Sequence, residues 1–191
     1  MSKVEMHAPF TTFSGTIGKL VYRNVRGKTI VAMRPTRKGP PSEAALAYQQ
    51  HFTRGSRWAK AALLDEEKGP FYQALGKKME ISAYAAAMSD FLKRPSLEAL
   101  DLSEYAGQAG DHIYFMASDN GGVVKAMVTI EYENGNVFEN GWAVEVGPGT
   151  GYWAYTVQSA LPAPAGATLR VKASASDRPG NTVEVIEEIS L

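Results

Sequence analysis

The sequence predicts an α+β protein with an N-terminal β-hairpin and a small helical layer, followed by a seven-stranded antiparallel β-sandwich. Residues 13–35 contain two β-prone runs around a turn, and residues 42–92 place apolar side chains at helical spacing. Residues 97–191 consist of short β-prone runs separated by Asn, Asp, Gly and Pro. We therefore expect two domains, 1–96 and 97–191.

The predicted hairpin has strands at 17–23 and 29–33, which are rich in β-branched and aromatic residues. Residues 24–28 (NVRGK) supply turn chemistry between them, and Gly27 is free to take a positive φ. Because a two-stranded hairpin is marginal in water, we expect it to need a partner surface. The segment 35–41 (PTRKGPP) predicts a stiff, basic connector.

The first predicted helix begins after Ser42, a favourable N-cap ahead of an Ala-rich run. Its apolar residues fall at roughly helical spacing and form one stripe: Ala45, Tyr48, Phe52, Ala59 and Leu63. Gly55 interrupts the stripe, which predicts either a kink or a close helix contact.

Two shorter helices complete the predicted helical layer. Gly69-Pro70 opens the second one, because proline is tolerated in the first turn of a helix. Residues 82–92 (SAYAAAMSDFL) predict the third, with Tyr84, Met88 and Leu92 on one face.

The remaining chain predicts seven strands, at 97–105, 112–117, 123–132, 137–146, 152–157, 168–173 and 182–189. Turn residues separate most of them, at 119–122, 133–136, 147–151 and 177–181. Residues 169–174 alternate apolar and polar side chains, which indicates one buried and one solvated face. Seven short strands of this kind are typical of an immunoglobulin-like or fibronectin-type sandwich.

Two turn segments carry a resemblance to a known family. Residues 115–124 (FMASDNGGVV) and 173–181 (ASASDRPGN) resemble the recurring A-x-D turns of bacterial Ig-like domains. The resemblance covers about the last 90 residues and implies a spacer or adhesive module of a surface or virion protein. Residues 15–18 (GTIG), 26–28 (RGK) and 34–35 (RP) resemble the start of uncharacterised bacterial and phage-encoded proteins.

Charge is sorted along the chain. Residues 1–60 carry 11 Lys and Arg against two acidic residues, a net charge of +9, whereas residues 101–191 carry four against 12, a net charge of −8. The basic side chains on and after the hairpin are Lys19, Arg23, Arg26, Lys28, Arg34, Arg37 and Lys38. They either solvate an exposed hairpin, contact the acidic region of another copy, or bind nucleic-acid phosphates.

Few residues suggest a catalytic or metal-binding site. The chain has no cysteine, and His7, His51 and His112 are scattered, so zinc-ligand spacing is absent. The glycine-rich segment 147–151 (GPGTG) lacks the Lys-Ser/Thr of a phosphate loop and predicts a hairpin turn. Loop residues that could gather at one end of a sandwich and bind calcium are Asp111, Asp119, Asn120, Asp177 and Asn181. Asp and Asn are also ordinary turn residues, and that interpretation is favoured. We expect no enzyme, metal or cofactor.

The leading hypothesis is a non-enzymatic structural subunit of a filament or particle, with head-to-tail contacts between basic and acidic regions. A set of six glutamates would be a solvated acidic face or the docking surface for a basic partner: Glu131, Glu133, Glu139, Glu184, Glu187 and Glu188. The alternative is a nucleic-acid-binding protein that uses the basic hairpin. No run has signal-peptide or membrane-spanning length, so we expect a cytoplasmic protein or part of an exported or virion-like assembly.

Overall fold

The computed structural model describes residues 2–3, 14–25, 27–36, 39–162 and 166–191. These residues form three helices and three four-stranded antiparallel sheets, which confirms the α+β class. The chain divides into two compact units, 1–46 and 47–191. Most of the helical region groups with the strands after residue 96 in the second unit, and the predicted division at 96/97 stays a prediction.

The first unit contains strands β1 (Ser2–Lys3), β2 (Gly15–Ile17), β3 (Leu20–Val25) and β4 (Lys28–Met33), in the sheet order β1-β4-β3-β2. The predicted turn is confirmed: Val25 pairs with Lys28, and Gly27 has φ +74°. The predicted hairpin is confirmed as β3 and β4, but its first strand begins at Leu20 rather than Ile17, because the chain reverses direction at Gly18-Lys19. The glycine permits this second tight turn, so β2, β3 and β4 form a meander.

The three helices are α1 (Glu43–Leu64), α2 (Lys68–Lys78) and α3 (Ala83–Leu92). The predicted cap of α1 is present, since Ser42 Oγ accepts from the Ala45 N–H at 3.3 Å. Ser82 caps α3 in the same way, through the Ala85 N–H at 3.1 Å.

The predicted apolar stripe of α1 is only partly correct. Gly55, Ala59 and Ala62 are buried, but Tyr48 and Phe52 are 64% and 46% exposed. Helical spacing identifies a face of a helix, but it does not show that another element covers the whole of that face.

The predicted close helix contact at Gly55 is confirmed. A Cβ atom at this position would lie 2.9 Å from Cδ1 of Phe91 in α3. The glycine therefore lets α1 approach α3 closely. No described helix has both the length and the apolarity needed to span a membrane.

The remaining strands are β5 (Ser96–Asp101), β6 (His112–Ser118), β7 (Lys125–Tyr132), β8 (Val137–Trp142), β9 (Val144–Glu145), β10 (Tyr152–Thr156), β11 (Thr168–Ser176) and β12 (Thr182–Ser190). They form two antiparallel sheets, with the orders β5-β6-β10-β9 and β12-β11-β7-β8. One hydrophobic cluster takes buried residues from both sheets, which therefore share a core. The alternation predicted for β11 is confirmed, since Leu169, Val171 and Ala173 are fully buried.

The described residues of 96–162 and 166–191 form eight strands, whereas the sequence predicted seven. The predicted strand 137–146 is two strands, because β8 pairs with β7 and β9 pairs with β10 in the other sheet. The chain changes sheet at Ala143, which is buried. Local β propensity is the same on both sides of this point, so the sequence pattern does not show the change.

Candidate functional site

The described basic residues predicted as contact residues lie at two ends of the first sheet. Lys19 lies in the β2–β3 turn and Arg34 directly after β4, and the Arg34 N–H donates to the Lys19 carbonyl at 2.7 Å. Lys28 begins β4 at the opposite end, and Arg23 lies nearby on β3. At about 3.3 Å per residue, the ends of β4 are roughly 17 Å apart. These four cations therefore do not form one compact cluster.

The other predicted contact residues, Arg26, Arg37 and Lys38, lie outside the described residues. The hairpin prediction thus located some of the basic positions on strands and turns, but it did not show how the sheet distributes them.

The pairing register divides this sheet into two different faces, since directly opposed residues of an antiparallel pair share a face. One face carries Ile17, Leu20, Tyr22, Asn24, Thr29, Val31 and Met33. The opposite face carries Thr16, Val21, Arg23, Val25, Lys28, Ile30 and Ala32. The apolar sheet face, defined here as Ile17, Leu20, Tyr22, Val31 and Met33, has no charged residue among the described positions of β2–β4.

No side chain of residues 14–25, 27–36 and 39–46 is buried. On the apolar sheet face, Met33 is 69% and Ile17 is 56% exposed. A sheet gains its stability mainly by burying one face against another layer. The described part of the first unit provides no such layer.

A second site lies in the other unit, where three carboxylates meet. Asp90 lies in α3, Asp119 in the β6–β7 loop and Asp177 in the β11–β12 loop, and an oxygen of each lies within 4.8 Å of the others. We call these three residues the aspartate cluster.

Strand register explains why the two loops meet. Ser176, at the end of β11, pairs with Lys125, at the start of β7. The Val124 N–H also donates to the Ser176 carbonyl at 2.9 Å. Residues just before β7 therefore lie beside residues just after β11, and α3 packs over both loops.

Asp90 is fully buried, and its Oδ2 accepts a hydrogen bond from the hydroxyl of Tyr72 in α2. Burial raises the pKa of Asp90 to about 7, because a charged carboxylate is poorly solvated there. The nearby Asp119 and Asp177 contribute to this raised pKa, and the hydrogen bond from Tyr72 acts in the opposite direction. Burial and the bond to Asp90 also raise the pKa of Tyr72.

The other two carboxylates order their own loops. Asp119 Oδ2 accepts from the Gly121 N–H at 2.7 Å. Asp177 accepts from the backbone and side-chain amides of Asn181, at 2.6 and 2.7 Å. Burial raises the pKa of Asp177, and the bonds from Asn181 oppose this effect. Asn181 also donates to the Phe91 carbonyl at 3.2 Å, which ties this loop to α3.

Arg178 connects the cluster to α2. Its Nη1 donates to the Gly121 carbonyl at 2.9 Å, and its guanidinium carbon lies 3.6 Å from the ring centroid of Phe71. Gly121 itself contacts the cluster, because a Cβ atom there would lie 2.1 Å from Asp90 Oδ1. The position therefore requires glycine for close approach of the backbone to the carboxylate.

A cleft of about 520 Å³ borders the aspartate cluster. Its lining includes Asp119 and Asn120, Phe71 and Lys78 of α2, and Trp153 of β10. Solvent can thus reach the side of the cluster formed by Asp119, while Asp90 lies behind it.

Of the five loop residues predicted to gather, the structure brings Asp119 and Asp177 together. Asn120 and Asn181 lie in the same loops. Asp111 is not part of this site, since it precedes β6 whereas Asp119 follows it. Asp111 Oδ2 instead accepts from the N–H groups of Ala106 and Gln108, both at 2.8 Å.

The sequence analysis missed Asp90 and Tyr72. Residues three and four positions apart share a helix face, so Asp90 lies on the face of Ala86 and Ala87. Both alanines are buried. A lone carboxylate on an apolar helix face was the available signal, because such a group needs a partner when buried.

The histidines and the glutamates considered from the sequence do not belong to the aspartate cluster. His51 and His112 each contact an aromatic ring, Phe91 at 5.3 Å and Tyr114 at 5.8 Å between centroids, while His7 lies outside the described residues. Glu139 is not a member of a solvated acidic face. Its carboxylate accepts from the Tyr155 hydroxyl at 2.5 Å and from the N–H groups of Gln158 and Ser159 at 2.7 and 2.9 Å.

Comparisons of this chain with protein-family models, with curated proteins and with solved structures found no match. The resemblance to bacterial Ig-like domains therefore stays a prediction.

Proposed function

We propose that this chain is a non-enzymatic structural subunit that assembles with further copies of itself through the first sheet. The observation that carries the proposal is the lack of any buried side chain in residues 14–25, 27–36 and 39–46. A small sheet that buries none of its described side chains cannot offset the conformational entropy that its ordering costs. A second molecule that covers one face would supply the missing burial.

The apolar sheet face is the surface that gains most from being covered. It combines exposed Ile17, Leu20 and Met33 with no charge among the described residues of β2–β4. Burial of apolar surface is worth roughly 25 cal/mol per Å², and no charged group on this face would have to lose water.

Charge favours a second copy as the occupant. Residues 1–46 carry eight basic and two acidic residues, a net charge of +6, and residues 47–191 carry 12 and 18, a net charge of −6. On β12, the end strand of its sheet, Glu184, Glu187 and Glu188 are exposed, and Ile186 is 52% exposed between them. An acidic strand with an apolar residue suits contact with the basic unit of a neighbour. Such a contact is heterologous and leads to rings or filaments.

The second unit would act as a rigid body of the immunoglobulin-like type. With β5 to β12 taken as strands A, B, C, C′, D, E, F and G, the two sheet orders become A-B-E-D and G-F-C-C′, which are those of Ig-type sandwiches. The chain lacks the cysteine pair of antibody domains. Its buried Trp153 lies on β10, whereas antibody domains place theirs on strand C.

The test is the mass of the full chain in solution, by analytical ultracentrifugation across protein concentration at low and high salt. We expect large species at low salt that Ile17→Asp removes, because the new charge would be buried in the contact. Thr16→Asp is the matched control, since it adds the same charge to the adjacent position on the opposite face.

Three outcomes would contradict this proposal. A strictly monomeric wild-type chain at high concentration excludes self-assembly. Loss of assembly in Thr16→Asp, but not in Ile17→Asp, excludes the apolar sheet face. Assembly that appears only with added DNA or RNA would favour the nucleic-acid alternative, which has less support because the described cations lie at two ends of the sheet.

A further inference from the structure

We propose that the aspartate cluster binds a calcium ion, which joins α3 to the β6–β7 and β11–β12 loops. This site lies entirely within residues 47–191, so it does not depend on the assembly proposed above. It rests on unpartnered buried oxygens, on the local charge, on the ligand types and on the cleft beside the cluster.

Not every side-chain oxygen at the aspartate cluster has a hydrogen-bond partner among the described residues. Asp90 uses Oδ2 for Tyr72, and Asp119 uses Oδ2 for the Gly121 N–H. Their other oxygens, Asp90 Oδ1 and Asp119 Oδ1, are buried without a partner among the described residues, as is Oδ1 of the adjacent Asn120. Asp90 is fully buried, and a buried oxygen without a partner is costly unless a cation or proton satisfies it.

The negative charge of the cluster also favours a bound cation. Three carboxylates meet here, and none of them forms an ion pair with Lys or Arg within the part of the chain that the structure describes. Arg178, the cation beside them, bonds instead to the Gly121 carbonyl and stacks on Phe71. A divalent cation would balance the charge that remains.

The ligand atoms of the cluster favour calcium among the common metal ions. Carboxylate and amide oxygens select hard cations, and neither histidine nor cysteine belongs to the cluster. Calcium accepts six to eight oxygens in flexible geometry, which suits ligands taken from a helix and two loops. Magnesium demands a stricter octahedron, so we expect it to bind more weakly.

The cleft beside the cluster gives an ion access to it. Asp119 and Asn120 line the cleft of about 520 Å³, which offers an ion a path from solvent. The ion would then contact Asp119 at the cleft wall and the buried Asp90 behind it.

The experiment is a titration of the full, chelator-treated chain with CaCl₂ by isothermal calorimetry, paralleled by terbium luminescence. Tyr72 is bonded to Asp90, so terbium in the cluster should show tyrosine-sensitised emission that calcium displaces. We expect Asp119→Asn to weaken calcium binding at least about tenfold, because it removes one charged ligand. This residue is half-buried, so the variant should fold, which near-UV circular dichroism checks.

Asp111→Asn is the matched control, because it makes the same change at the far end of β6 and should leave calcium binding unaltered. Failure of folded wild-type protein to bind calcium up to about 10 mM, well above the weakest class of protein calcium sites, would overturn the proposal. Equal binding by wild type and Asp119→Asn would also overturn it. In the first case a proton shared between Asp90 and Asp119 would satisfy their oxygens instead.

Discussion

The hydroxyl of Tyr72 donates a hydrogen bond to Oδ2 of Asp90, and both side chains are fully buried. The bond joins α2 to α3 at the point where both helices meet the loops of the sandwich. Removing the donor would leave Asp90 Oδ2 without a partner among the described residues.

Tyr72→Phe is therefore expected to lower the free energy of unfolding by about 1–3 kcal/mol, the cost of a buried polar group left unsatisfied. Tyr84→Phe is the control, since it removes the same atom from a hydroxyl that donates to Ser56 Oγ at 2.9 Å, a neutral and half-buried partner. Its expected cost is only about 0.5–1.5 kcal/mol. Urea unfolding measures both, and equal stabilities for wild type and Tyr72→Phe would contradict the expected role of the bond.

Gly121→Ala is expected to destabilise the protein by about 1–3 kcal/mol through overpacking, because the new Cβ would lie 2.1 Å from Asp90 Oδ1. Gly122→Ala is a useful comparison. Gly122 has φ +87° and no heavy atom near its Cβ position, so its cost is backbone strain alone.

A double-mutant cycle separates the two mechanisms. Asp90→Ala removes the oxygen that Gly121→Ala would strike, so these two changes should be less harmful together than their sum. Asp90→Ala and Gly122→Ala should be nearly additive. If both pairs are additive in urea unfolding, the close approach of Gly121 to Asp90 does not contribute to the cost of Gly121→Ala.

Sequence patterns predicted the buried face of a strand, but they did not predict which loop aspartates lie together. The alternation of Leu169, Val171 and Ala173 predicted the buried face of β11, because strand geometry fixes side-chain direction from one residue to the next. The meeting of Asp119 with Asp177 needed the strand order as well, since Asp111 has the same residue type and lies at the wrong end of β6. Asp111 and Asp119 are both loop aspartates beside β6, and only the pairing of the strands determines which of them lies near Asp177.

Two other differences have the same origin. The change of sheet at Ala143 and the exposure of Tyr48 both depend on which surface lies opposite, and no local propensity encodes that. By contrast, the caps at Ser42 and Ser82 involve only residues three positions apart, and these were predictable from the sequence.

Arg178→Lys is expected to destabilise the second unit by roughly 1–2 kcal/mol, because the guanidinium both bonds to Gly121 and stacks on Phe71. Lysine retains the charge but lacks the planar guanidinium group that makes both contacts. Arg170→Lys is the control, since Arg170 forms an exposed pair with Glu188 at 3.3 Å, where little energy is at stake. A thermal-melting comparison in which both variants match wild type would contradict the role given to Arg178.

The free energy of unfolding of chelator-treated protein is expected to fall as the pH rises from about 4 to about 7. The pKa of Asp90 is raised from 3.8 to about 7, mainly by burial, so the folded state keeps a proton that the unfolded chain releases. The stability due to this proton is complete below pH 3.8 and is lost as the pH rises through 7. Tyr72, Asp119 and Asp177 face Asp90, and each of them contributes to its pKa.

Urea unfolding between pH 4.5 and pH 8 measures this slope, with Asp90→Asn as the variant that should reduce it. Asp65 and Asp101 have lowered pKa values, so their opposite contribution appears only below about pH 4 and lies outside this window. Asp101→Asn is therefore the matched control and should retain the wild-type slope. Because the pKa of Asp177 is also raised, a smaller slope of the same sign is expected to remain in Asp90→Asn. A slope equal to that of wild type, or a stability that rises with pH across the window, would show that Asp90 does not hold the proton.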